Sequence, residues 1–199
     1  MSLNPTTVAL GALIALVWAY ACLSFAAYLK TELRVRTGYT RKLFHVLIFT
    51  SAVVVHAFGG FWAVCVFGAM VTLVVGHAVI RGRGDRLYEA LSRRQDGPYR
   101  TYYIVVPYFA TLIGGMTSSV FFGPLAVVGY LVGGLGDAAG EPAGLRWGKH
   151  PYRFSNGGAI AAKTYEGSLA VLAASVVALL IGIAVSPELR FDLRSLVAL

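Results

Sequence analysis

Long apolar runs constrain this sequence more than any other feature. The 199 residues are 57% hydrophobic with a mean hydropathy of +0.70, and the apolar residues collect into runs near the ~20 residues that cross a bilayer. Lipid offers backbone groups no hydrogen-bond partners, so spans without alternating strand patterns must be helical. The sequence therefore predicts an all-α, polytopic membrane bundle, folded as a single integral membrane domain over residues 1–199.

The boundaries of the runs predict about six transmembrane helices. They are expected at residues 6–29, 43–58, 61–80 and 102–113, from about 120 into the segment 133–168, and at 167–185. Short turns are expected at Gly59-Gly60 and at residues 114–119, and a short amphipathic helix on the membrane surface within 81–100. The tail 186–199 is too charged and short to span.

The distribution of positive charge predicts how the bundle is oriented. Fifteen of the 17 lysines and arginines lie in the loops after the first, third and fifth spans, and the opposite turns hold none. The positive-inside rule places these loops in the cytoplasm and the N-terminus outside. Basic cytoplasmic loops also explain the net charge of +8, so no nucleic-acid partner is expected. Membrane lipids are the expected surroundings of the chain.

The segment 133–168 concentrates acidic residues that are unusual beside a membrane. Asp137 and Glu141 are four residues apart and share one face if the segment is helical, and Glu166 follows later. An Asp at the centre of a spanning helix costs roughly 2.5–3.5 kcal/mol. The compensating cation is either a divalent metal that carries a polyphosphate or a set of Lys and Arg side chains. Pro142 predicts a kinked or broken helix here.

Lys163, Thr164 and Ser168 lie where the last span is expected to begin. A helix N-terminus has free N–H groups and a partial positive charge, which favour phosphate. These three side chains would add donors to such a site. In the alternative interpretation, Thr164 only caps the helix and Lys163 only anchors it at the cytoplasmic interface.

Arg41, Lys42 and His45 open the second span and can face one side of a helix. Together they could meet a phosphate or a leaving oxygen. Alternatively, His45 is an ordinary histidine satisfied at the interface. A P-loop is excluded, because Gly144 and Gly148-Lys149 are separated by one residue too few and His150 replaces the Ser or Thr.

Three ordered motifs carry a resemblance to a known family. They are Arg41-Lys42-x-x-His45, then Gly136-Asp137-x-x-x-Glu141-x-x-Gly144-x-x-x-Gly148-Lys149, then Lys163-Thr164-x-Glu166-Gly167-Ser168. Over about residues 38–185 the sequence resembles the membrane family of CTP-dependent lipid-alcohol kinases, which includes dolichol kinase, phytol kinase and a CTP-using diacylglycerol kinase.

The resemblance implies transfer of the terminal phosphate of CTP to the hydroxyl of a long-chain isoprenoid or other lipid alcohol, with Mg²⁺ at a cytoplasmic-side site in 133–168. The implied catalytic residues are Asp137, His45 and Lys163. The implied nucleotide-binding residues are Arg41, Lys42, Lys149, Lys163, Thr164, Gly167 and Ser168. The implied metal ligands are Asp137, Glu141 and Glu166.

Three other interpretations remain open at this point, and the last of them is a structural membrane protein that binds neither nucleotide nor metal. The second and third motifs also resemble phosphatidate cytidylyltransferases, which make CDP-lipids, although their later PGHGG and DR segment is missing here. An ion-coupled transporter could use Asp137 and Glu141 as an intramembrane ion site. The sequence departs from the kinase pattern at Pro142 and in lacking a further acidic span. That span is dispensable, contributed by another subunit, or missing from this sequence. Separately, a homo-oligomer remains open.

Overall fold

The computed structural model describes residues 4–156 and 159–185. They form seven α-helices and two strands: α1 (Pro5–Thr31), α2 (Thr37–Arg81), α3 (Arg86–Leu91), α4 (Tyr102–Phe122), α5 (Ala126–Leu131), α6 (Asp137–Trp147), β1 (Pro151–Asn156), β2 (Ala159–Thr164) and α7 (Tyr165–Val185). Four helical segments in this part of the chain are long and apolar enough to cross a membrane: Pro5–Thr31, Thr37–Arg81, Tyr102–Trp147 and Tyr165–Ala184. The predicted helical membrane class fits these segments, and the tail 186–199 lies outside the described residues.

The 45-residue helix α2 reverses direction at Gly60, where φ is 69° and ψ is −165°. Only glycine adopts such a conformation without strain. The Thr40 hydroxyl, near the start of α2, donates to the buried carbonyl of Ala90 at 3.0 Å. A straight helix would put Thr40 about 60 Å from Arg81, too far for the nine residues to Ala90 to return. The break predicted at Gly59-Gly60 therefore makes α2 a helical hairpin.

A second reversal separates α4 from α5 and lies later than the sequence predicts. The turn expected at residues 114–119 is helical, and the chain leaves α4 at Gly123, where φ is 53°. Tyr130 on α5 returns to α4, where its hydroxyl forms a short hydrogen bond with that of Ser119. The prediction was wrong because a helix holds Ser119, whose hydroxyl donates to the Gly115 carbonyl at 2.9 Å; the Gly123-Pro124 pair ends the helix instead.

The helical irregularity near the acidic segment precedes Asp137. A π-helical turn covers Val132–Gly136, and α6 then continues with Pro142 inside it. Single π-turns commonly interrupt helices at functional positions. The break predicted at Pro142 is wrong because α6 runs through this residue, and the irregularity nearest to Asp137 is the π-helical turn Val132–Gly136.

The short helix α3 packs against the rest of the bundle. Four of its six residues are buried in one apolar cluster with α1 and both arms of α2: Leu87, Tyr88, Ala90 and Leu91. The short helix predicted within 81–100 is therefore present, and its position on the membrane surface stays a prediction.

Strands β1 and β2 form an antiparallel pair, with Pro151 opposite Thr164 and Asn156 opposite Ala159. The all-α prediction is therefore wrong for the connection between α6 and α7. The pair returns the chain to α7 directly beside the end of α6. Because of it, Lys163 lies on a strand rather than at the start of a helix.

Candidate functional site

The first turns of α2 bring two cations and a histidine against the start of α6. Lys42 Nζ lies 2.6 Å from Asp137 Oδ2. The Lys42 side chain is 10% exposed, whereas that of Asp137 is 63% exposed. A buried ammonium group requires such a partner, while the open side of Asp137 leaves its second oxygen accessible. The predicted helical face of Arg41, Lys42 and His45 thus meets the acidic segment.

His45 stands beside this ion pair. Its Nε2 lies 3.6 Å from Asp137 Oδ2 and 3.4 Å from the Gly133 carbonyl oxygen. The imidazole also stacks on Phe49, with ring centroids 4.4 Å apart. Gly133 belongs to the π-turn, so the irregular backbone contacts His45 directly through this carbonyl.

Glu141 lies one turn further along α6 and is held by two arginines. Arg41 Nη2 lies 2.8 Å from Glu141 Oε2, and Arg93 Nη1 lies 3.3 Å from Glu141 Oε1. All three side chains are mostly buried, at 23%, 26% and 18% exposure for Arg41, Arg93 and Glu141. Gly38 leaves the space for this carboxylate, because a Cβ there would lie 3.0 Å from Glu141 Oε1.

Arg93 is a site residue that sequence reasoning did not find. It follows α3, 48 residues from Glu141 in the chain, and belongs to none of the motifs. Its second partner is Asp96, at 3.2 Å. Burial lowers the pKa of Arg93, but the hydrogen bond and charge of Asp96 and the charge of Glu141 raise it, and the net pKa lies above its ordinary value. No sequence motif indicates that Arg93 contacts Glu141. The sequence shows only that Arg93 belongs to a basic loop, which is expected on the same side as the acidic segment.

The third motif forms a separate polar group at the start of α7. His150 Nδ1 and Glu166 Oε1 are 2.6 Å apart, and the hydroxyls of Tyr152 and Ser168 are 2.8 Å apart. The Gly167 N–H donates to Thr164 Oγ1 at 3.1 Å. Thr164 therefore caps the helix, as the simpler of the two sequence interpretations predicts.

Close glycine packing joins the two groups through α6 and α7. A Cβ on Gly167 would lie 2.8 Å from the Gly140 carbonyl oxygen and 3.4 Å from Gly144 Cα. A Cβ on Gly144 would lie 3.0 Å from Thr164 Oγ1. Small residues four apart permit such contact between backbones. Gly140, Gly144 and Gly167 therefore place the start of α7 directly beside the acidic helix.

The predicted metal ligands do not form one preassembled group. Within the residues that the structure describes, no three His, Cys, Asp or Glu side chains are grouped so as to hold a metal ion. Asp137 and Glu141 are bound by cationic side chains, and Glu166 by His150. Magnesium often uses only one or two carboxylates together with phosphate oxygens. Asp137 and Glu141 are oxygen donors of the kind that this ion prefers, but here their charge is compensated by Lys42, Arg41 and Arg93. Glu166 is not grouped with them.

The two remaining predicted nucleotide ligands lie at the junction of α6 and α7. Lys149 is exposed immediately after α6. Lys163 is exposed on β2, opposite Tyr152. Both belong to the same end of the molecule as the acidic helix, on the short connection that follows it.

The first two turns of α7 present an open surface formed by Tyr165, Glu166, Ser168, Leu169 and Leu172. Leu169 and Leu172 are 65% and 61% exposed, so this surface is mainly apolar.

Searches for similar proteins gave no match among family models, curated proteins or solved structures.

Proposed function

We propose that this protein is a membrane kinase that transfers the terminal phosphate of CTP to the hydroxyl of a long-chain isoprenoid or other lipid alcohol. One observation carries the proposal. Two motifs that lie about 100 residues apart in the chain meet through the Arg41–Glu141 and Lys42–Asp137 ion pairs. These are the residues that the resemblance assigns to the nucleotide and the metal, and the third motif packs against the same helix.

The proposed chemistry is mainly electrostatic, since phosphoryl transfer requires positioning and charge neutralisation more than covalent help. Arg41 and Lys42 bind phosphate oxygens, with Lys149 and Lys163 contributing from the connection to α7. Asp137 and Glu141 would hold Mg²⁺, which would supply further charge neutralisation at the phosphates. This role requires the carboxylates to exchange their present cationic partners for the ion.

Either His45 or Asp137 accepts the proton of the lipid hydroxyl. His45 Nε2 lies 3.6 Å from Asp137 Oδ2, so both groups face one point. A base must lie within hydrogen-bond reach of the proton it takes. The lipid chain lies against the apolar helices of the membrane span, with its hydroxyl end at His45 and Asp137.

The proposal includes six membrane crossings with the site in the cytoplasm and the N-terminus outside. Both long segments Thr37–Arg81 and Tyr102–Trp147 contain a reversal, so each supplies two crossings. The loops that follow α1, α2 and α6 carry the positive charge. The positive-inside rule then assigns their side to the cytoplasm, where nucleotides are available.

The test is a reconstitution with identified products. The purified protein is incubated with Mg²⁺, CTP labelled at the terminal phosphate, and a panel of lipid alcohols that includes phytol, geranylgeraniol, a long polyprenol and diacylglycerol. We expect a labelled lipid monophosphate on thin-layer chromatography and stoichiometric release of CDP. Parallel reactions with ATP establish the preferred donor.

Two further measurements on the purified protein, one with phosphatidate and CTP and one of ion flux in liposomes, separate the other functions. Pyrophosphate release and a CDP-lipid formed from phosphatidate would indicate a cytidylyltransferase. Ion flux into liposomes without nucleotide consumption would indicate a transporter that uses Asp137 and Glu141. Either result would overturn the kinase proposal.

A further inference from the structure

The arrangement around Glu141 is that of an occupied anion site. Two guanidinium groups, from Arg41 and Arg93, point at the two oxygens of one carboxylate, at 2.8 and 3.3 Å. Guanidinium groups bind carboxylates and phosphates with the same planar, bidentate geometry. The anion that the two arginines bind in this structure is the Glu141 side chain.

Arg93 is oriented independently of Glu141. Its Nη2 lies 3.2 Å from Asp96 Oδ1, and its Nε donates to Asp96 Oδ2 at 3.2 Å. The Asp96 side chain is 8% exposed, so this contact fixes the guanidinium from behind. If Glu141 turned away, Arg93 would remain aimed at the space between α2 and α6.

We propose that Arg93 is a polyphosphate-binding residue, and that Glu141 occupies the Arg41–Arg93 anion site until a nucleotide displaces it. This inference rests on the proposed function for its physiological ligand. It adds a residue from outside the three motifs and gives Glu141 two successive partners. With nucleotide absent, Glu141 satisfies the two buried arginines; with nucleotide bound, the phosphates take the arginines and Glu141 is free to meet the accompanying cation.

The exchange makes predictions of opposite sign for the two side chains. Removal of Arg93 takes away a phosphate ligand, so binding weakens. Neutralisation of Glu141 takes away an internal competitor, so binding of the anion in the absence of metal strengthens. If the Arg93–Glu141 pair only held the fold together, both variants would weaken binding or leave it unchanged.

The experiment measures binding of inorganic tripolyphosphate in detergent and EDTA by isothermal titration, which requires neither catalysis nor metal. We expect Arg93→Ala to raise the dissociation constant about 10- to 100-fold, the usual effect of losing a hydrogen bond to a charged group. Arg93→Lys should recover only part of the loss because a lysine lacks the planar fork. We expect Glu141→Gln to lower the dissociation constant several-fold.

Two matched variants provide the controls. Arg94→Ala removes an exposed neighbouring charge, and Glu89→Gln neutralises a different acid that pairs with an arginine, Arg100. Both should bind tripolyphosphate like the wild type. Equal binding by Arg93→Ala and Arg94→Ala, or weaker binding by Glu141→Gln, would overturn the inference.

The outcome is separable from that of the kinase proposal. If the lipid kinase assay fails while the tripolyphosphate results hold, the anion site stands and the reaction is a different one. If the kinase assay succeeds while Arg93→Ala keeps the wild-type KM for CTP and the wild-type affinity for tripolyphosphate, the inference about Arg93 fails alone. A wild-type protein that binds no tripolyphosphate would also overturn the inference.

Discussion

The pair formed by Lys42 and Asp137 shows how one residue can serve both fold and chemistry. The ammonium group is almost entirely buried, while the carboxylate is more than half exposed. Removal of one partner from a buried ion pair is costly because the other charge remains without compensation. Loss of Asp137 would leave the buried Lys42 ammonium without a partner. Asp137 therefore supports the packing of α2, and its exposed carboxylate remains accessible to a ligand.

Asp137→Asn should abolish kinase activity and leave the protein folded and membrane-inserted. The amide oxygen of asparagine can still accept a hydrogen bond from Lys42, but the charge that would hold the metal is lost. We expect a loss of at least about 100-fold in kcat, comparable with removal of other groups that stabilise charge in a transition state. The measurement is phosphoryl transfer from labelled CTP, with thermal unfolding in detergent as the test of folding.

The control for this variant is Asp85→Asn. Asp85 caps α3 and pairs with Arg81, away from α6, so its loss should reduce stability slightly and keep activity. Retained turnover in Asp137→Asn would refute the metal-binding role of this residue.

Acid should destabilise the protein partly through Glu89. Burial raises the pKa of Glu89. Hydrogen bonds from Arg100 and from the Gly84 N–H, together with the positive charge of Arg100, lower this pKa more strongly, so it lies below the ordinary value of 4.5. The stabilisation is therefore fully present above the unfolded pKa and is lost as the pH falls through the folded pKa. We expect the melting temperature to fall between about pH 5 and pH 3, and to fall less steeply in Glu89→Gln.

The comparison must be made at constant ionic strength, because salt screens partly exposed pairs. Glu89→Gln should also have a lower melting temperature than the wild type at pH 7, since Arg100 loses its charged partner. Parallel pH curves for the two proteins would mean that Glu89 is not responsible for the acid sensitivity.

At the scale of helices, backbone contact between α6 and α7 positions the start of α7. Gly167→Ala should destabilise the protein by about 1–3 kcal/mol, the usual cost of overpacking, because its Cβ would lie 2.8 Å from the Gly140 carbonyl oxygen. A backbone atom cannot move aside as a flexible side chain can. Thermal unfolding in detergent measures the loss, and the affinity for CTP should fall as well.

Gly114→Ala is the matched substitution. Gly114 also lies in a helix, but a Cβ there would meet nothing within 4 Å. It should be neutral or stabilising by about 0.5–1 kcal/mol, since glycine disfavours a helix. If the two variants unfolded at the same temperature, close contact between α6 and α7 would not limit stability.

Much of the helical organisation follows from the sequence, because it depends on hydrophobic runs and on glycine. The break at Gly60 lies where two adjacent glycines interrupt an apolar run. The turn was predicted too early because the small polar residues 114–119 are typical of a loop. In the structure they are helical, and the Ser119 hydroxyl donates to a carbonyl of the same helix. A Gly-Pro pair is the stronger signal for the end of a helix.

The strand pair was missed although the sequence carries a signal for it. Tyr152, Arg153, Phe154 and Ser155 alternate in polarity and are followed by the pair Gly157-Gly158, a pattern typical of a β-hairpin. At the candidate site, the common face of Arg41, Lys42 and His45 could be predicted from helical spacing. Arg93 could not be predicted, because its contact with Glu141 depends on how α3 packs, and no pattern in a single sequence encodes that packing.

At the scale of the whole molecule, the charged loops converge on one end of the bundle. Thr40 bonds Ala90, and Arg93 bonds Glu141, so the loops that follow α1 and α2 lie at the same end as α6. Near the opposite turns, His56 and Tyr130 form a hydrogen bond of 3.2 Å, and this part of the chain carries no lysine or arginine. Within residues 4–156 and 159–185, the molecule therefore has a basic end, whereas the end that holds the turns at Gly60 and Gly123 carries no lysine or arginine.

This charge distribution predicts that the two ends of the bundle face opposite sides of the membrane, so that a reagent outside the cell reaches only one of them. In a background where Cys22 and Cys65 are replaced by alanine, Phe58→Cys lies beside the Gly60 turn and Arg94→Cys lies in the basic loop. Both side chains are exposed, Phe58 at 91%. A membrane-impermeant maleimide added to intact cells should label Phe58→Cys at once and Arg94→Cys only after permeabilisation. The reverse pattern would place the site outside, away from cytoplasmic CTP, and labelling of both from one side would mean that the α2 hairpin does not cross the membrane.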